Sequence, residues 1–107
     1  MRILEILANG RKISTNSFYS ALIVNLLIGF SASLKHVDPM AELRFECHEQ
    51  RCSLLCQGEP IELKPFVESL LADVTMTLIL RLNEVDPDDR VEFFIGPDTD
   101  LEVVEAE

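Results

Sequence analysis

The chain is expected to fold as one α+β domain, a ferredoxin-like βαββαβ sandwich with two helices on one face of a four-stranded antiparallel sheet. Three observations lead there. Phe18 to Leu34 is a run of seventeen residues without a charge. A second, nearly as apolar run spans Phe66 to Leu82. Short segments of alternating hydrophobicity lie before, between and after them, and period two is the mark of a half-buried strand. The order is strand, helix, strand, strand, helix, strand, and right-handed crossovers turn that order into the sandwich, with spatial strand order 4-1-3-2.

The first strand is read from Met1 to Ala8. Asn9–Gly10 then marks a turn, with Arg11 and Lys12 exposed beside it. Ser14, Thr15, Asn16 and Ser17 are candidate N-caps, since their side-chain oxygens accept the orphan amide hydrogens of a helix start. The first helix is expected to reach Lys35–His36, whose charges suit the negative end of a helix dipole, and Asp38–Pro39 stops it. Its core stripe is read as Leu22, Leu26, Phe30 and Leu34, with Tyr19, Ile23 and Leu27 on the shoulders.

Residues 42–48 and 51–57 are read as a hairpin about Glu49–Gln50, closed by a tight turn or by a four-residue loop of the same register. In that register Cys47 faces Cys52, Phe45 faces Leu54 and Leu43 faces Cys56, all on the core face. His48, Arg44 and Glu46 face away. Gly58–Glu59–Pro60 ends the hairpin. Pro65 suits the first position of the second helix, where its missing amide hydrogen costs nothing. That helix carries Val67, Leu70, Leu71, Val74, Leu78, Leu82 and Val85 on one face, and Asp86–Pro87 ends it. Arg90 to Ile95 is the last strand, with Val91, Phe93 and Ile95 inward.

Length and charge bound the function. A chain of 107 residues makes a single domain, placed at 1–97, followed by an acidic tail at 98–107. The net charge is −10, unevenly spread: residues 1–37 carry four basic residues against one acid, and residues 38–107 carry five against eighteen. That balance excludes phosphate-backbone contacts, which need clustered Lys and Arg, so no nucleic acid is expected. It also disfavours anionic lipid. The tail reads as a solvated, solubilising segment. A membrane span needs about twenty apolar residues. The first run is shorter and contains Ser20, Asn25, Gly29, Ser31 and Ser33, while the second contains Glu68, Asp73 and Arg81. Both are therefore read as helices of a folded domain. No secretory signal is read at the start, and three cysteines, an odd number, suit a reducing cytoplasm.

No catalytic motif is present. Cys47, His48, Cys52 and Cys56 lack the paired spacing of a zinc site, and the hairpin turns His48 away from the cysteines. A Cys47–Cys52 disulfide is sterically possible, because directly opposed residues are close, but a cytoplasmic setting opposes it. His36 and His48 stand near no recognisable nucleophile. The alternating acids of Asp98, Asp100 and Glu102 lack the glycine and the bidentate glutamate of a calcium loop. Neither a cofactor nor a metal is expected.

The most suggestive feature is apolar surface left over. On the sheet face away from the helices, Ile3, Leu7, Leu55 and Phe94 would be neighbours, rimmed by acids and Arg44, which is the form of a partner site. The helices show second stripes too: Ile23, Leu27 and Ile28 on the first, and Met76, Ile79 and Leu80 on the second. The expected function is a non-catalytic binding or regulatory module that acts through protein–protein association as a homodimer. The candidate interface residues are Ile3, Leu7, Leu55, Phe94 and Ile79. The alternatives are an enzyme whose site forms at a dimer interface, and an acidic decoy of a basic nucleic-acid-binding partner.

Overall fold

The computed structural model describes residues 3–82 and 84–98, so the acidic stretch from position 99 onward lies outside the described residues. In chain order the elements are β1 (Leu4–Ala8), β2 (Arg11–Ile13), α1 (Ser17–Ala32), β3 (Leu43–His48), β4 (Arg51–Cys56), β5 (Glu59–Ile61), α2 (Pro65–Ile79) and β6 (Val91–Ile95). The α+β class is as expected. The sheet, however, has six strands in the order β2-β1-β6-β3-β4-β5, all neighbours antiparallel.

This corrects the expected sandwich in two ways. First, two tight turns continue into short strands. Asn9–Gly10, both at positive φ, folds β2 back on β1, and Gln57–Gly58 does the same for β5 on β4. Asn-Gly is the strongest short-range hairpin signal, and a three-residue strand follows it here. Second, the last strand is central. The β1–β2 hairpin keeps one open edge on β1, and the β3–β4–β5 meander keeps one on β3. β6 pairs with both and closes them.

The β3–β4 register is as anticipated: Leu43 opposes Cys56, Phe45 opposes Leu54 and Cys47 opposes Cys52. One apolar row crosses all six strands, through Ile13, Ile6, Phe93, Phe45, Leu54 and Ile61. Phe93 and Phe45, at the middle of that row, are fully buried. Both helices cover this face, and their buried residues share one core with it.

Asn16 caps α1: its side-chain oxygen accepts the Tyr19 backbone N–H at 2.7 Å. Pro65 opens α2. The Tyr19 hydroxyl donates to the Leu78 carbonyl, and burial pushes the phenol's pKa up, against an opposing effect of Arg81. The start of α1 thus meets the end of α2. At the other end Ser33 and Leu34 share a cleft with Lys64 and Val67, so the helices run antiparallel.

The helix faces differ from expectation. The buried residues of α1 are Ile23, Leu27 and Ser31, whereas Leu26 is 43% exposed and Leu22 and Phe30 are only partly buried. A helix without charge has no polar side to set its phase. In α2 the buried set is Leu71, Ala72, Thr75, Leu78 and Ile79, while Leu70 is exposed. Both helices are shorter than expected. Leu82 and Val85 still reach the core, from the segment beyond α2.

Candidate association surface

The sheet's outer face carries the side chains expected there, in a different arrangement. Ile3 is exposed, and Leu7, Leu55 and Phe94 are partly buried. With β6 between β1 and β3, Phe94 lies between Glu5 and Arg44, and Arg44 in turn separates it from Leu55. Leu7 lies beside Glu92 and Lys12. The guanidinium of Arg44 sits over the Phe94 ring, 5.5 Å from its centroid. Lys12 pairs with Glu5 at 3.3 Å, and Arg90 pairs with Glu46. The continuous apolar centre expected on this face is therefore broken by charges. Ile79, the fifth candidate, is 4% exposed and belongs to the intrachain core. It is not on the helix exterior.

An outer cleft is lined by Glu46, His48, Glu49, Arg51, Ser53 and Arg90, with Glu68 at its edge. Four of its charges are paired internally: Arg90 with Glu46 and Arg51 with Glu68. The Arg51 hydrogen bond, followed by the Cys52 backbone N–H, holds the Glu68 carboxyl below its ordinary value. A carboxylate stabilised in its charged form is a poor proton donor or acceptor near neutral pH. Among the described residues, no group of three or more His, Cys, Asp or Glu side chains could hold a metal ion. Cys47 and Cys52 are joined as a disulfide with their Cα atoms 4.2 Å apart, and Cys56 is free.

The helix layer has a different character. No Asp, Glu, Lys, Arg or His occurs between Ser17 and Ala32, so the side of α1 turned away from the core is also uncharged. It exposes Phe18 (74%) and Leu26 (43%), with Leu22 partly exposed between them and Ala21, Asn25 and Gly29 alongside. On α2, Phe66 and Leu70 are exposed one turn apart, and Leu80 follows the helix end. Sequence patterning identified the charge-free run but not which of its sides faces out. Among the described residues, no helix is long and apolar enough to cross a membrane.

No protein-family model matches this chain, and no curated protein and no solved structure matches it.

Proposed function

We propose that this chain is a small, non-catalytic binding module that acts through protein–protein association and forms a homodimer through its helix layer. One observation carries the reading: the exposed side of α1 presents Phe18 and Leu26 and is free of charge along the whole helix. A helix side without charge is ordinarily covered by other parts of a protein. Leaving such a face in water forgoes about 25 cal/mol for each Å² that a partner would cover. The outer sheet face supports the reading less well, because Arg44 and Glu92 interrupt its apolar residues. The odd cysteine count favours a cytoplasmic setting, and the Cys47–Cys52 disulfide, which such a setting opposes, speaks against it.

The test is sedimentation of the full chain over a wide concentration range, beside a Leu26→Asp variant. Leu26 lies outside the core, so the variant should keep its circular dichroism spectrum while an unpaired charge penalises a dry interface. The expected result is a dimeric wild type and a monomeric variant. A wild type that stays monomeric at every concentration overturns the proposal.

A further inference from the structure

The exposed face of α1 is graded in size along the helix. Its first half presents Phe18, Leu22 and Leu26, and its last turns present Gly29, Ala32 and Ser33. A Cβ built on Gly29 would meet nothing within 4 Å, so the space over that end is open. Asn25 lies exposed at the middle of the helix, between the bulky and the small halves.

We infer that two copies pack with their α1 helices antiparallel about a twofold axis at Asn25. This rests on the reading of the helix layer as an association surface and specifies its occupant. Antiparallel packing sets Phe18 of one copy against Ala32 of the other and Ala21 against Gly29, and the axis repeats both contacts. Bulk then meets open space at each end. Parallel packing would stack Phe18 on Phe18 and leave Gly29 facing Gly29 across a gap. At the axis each Asn25 meets its own copy. An amide carries both donors and an acceptor, so it is complementary to itself across a twofold. One buried amide in an apolar seam is also a known means of setting register.

Charge favours the same occupant. The chain carries −10 overall, so two copies best avoid close like-charge contacts by meeting where neither bears charge, and α1 is such a place. A basic partner would find no carboxylate on α1 to pair with.

The test is cysteine cross-linking in the full chain with Cys56→Ser, which removes the one free thiol. Mild oxidation should link Asn25→Cys to itself. Phe18→Cys should not link to itself but should link to Ala32→Cys when the two variants are mixed. In parallel, Gly29→Leu should fill the open space and weaken dimerisation at least about tenfold, with helix content unchanged. A protein that sediments as a dimer overturns the inference if Asn25→Cys fails to link, if Phe18→Cys links to itself, or if Gly29→Leu dimerises as tightly as wild type. Any of these would leave the association reading standing. A monomeric wild type ends both.

Discussion

The carboxylate of Glu68 on α2 accepts the backbone N–H of Cys52 at 3.0 Å, at the stretch of β4 that β5 leaves uncovered. The same oxygen accepts Arg51 Nε at 2.8 Å. An N–H directed outward to Glu68 is not shared with β3, so Cys47 and Cys52 form a non-hydrogen-bonded pair. Such pairs bring opposed side chains closest, in keeping with the 4.2 Å between their Cα atoms. One helix side chain thus caps an open strand edge beside the disulfide.

The first prediction concerns acid. The Arg51 and Cys52 hydrogen bonds lower the folded-state pKa of Glu68. Its stabilising contribution is therefore complete above the ordinary carboxylate value of about 4.3, and is lost as pH falls below it toward the folded value. Thermal melts of wild type and Glu68→Gln should differ at neutral pH, with wild type the more stable. The difference should narrow as pH drops below about 4.3. A gap that is constant from neutral to strongly acid pH would contradict this account of Glu68.

The β3–β4 turn provides the second prediction. Glu49 and Gln50 both have positive φ, 53° and 65°, whereas the other two tight turns place Gly10 and Gly58 at their second position. The left-handed conformation costs a non-glycine residue about 1–2 kcal/mol. Gln50→Gly should therefore raise the unfolding free energy by about 1 kcal/mol. Reducing the Cys47–Cys52 bond should lower it by about 2 kcal/mol, the loop-closure estimate for so short a loop. Urea titrations of the Cys56→Ser chain, with and without Gln50→Gly and with and without a dithiol reductant, would measure both effects.

The third prediction separates core from surface. Ile79 is 4% exposed and Leu26 43% exposed. Ile79→Ala should cost about 2–5 kcal/mol, because it leaves a cavity in a small core. Leu26→Ala should cost less than about 1 kcal/mol when measured at concentrations where the chain is monomeric. Equal losses at the two positions would mean that the phase of one helix is wrong.

Much of the local structure was determined by sequence alone, because it rests on short-range chemistry. Alternation of Leu43, Phe45 and Cys47 against Cys52, Leu54 and Cys56 sets the β3–β4 register, since a slip of one residue would turn every core side chain outward. Asn16 and Pro65 mark the two helix starts by their own hydrogen-bonding chemistry. The position of β6 was decided by the tertiary structure. Val91, Phe93 and Ile95 alternate in the same way at an edge or at the centre, and only the two open edges of β1 and β3 place them between. The short strands β2 and β5 exist because a neighbour is there to pair with. The outward side of α1, and with it the candidate surface, was likewise settled by packing. A helix with no charged residue offers no local preference for which side meets water, so the fit of Ile23 and Leu27 into the core decided it.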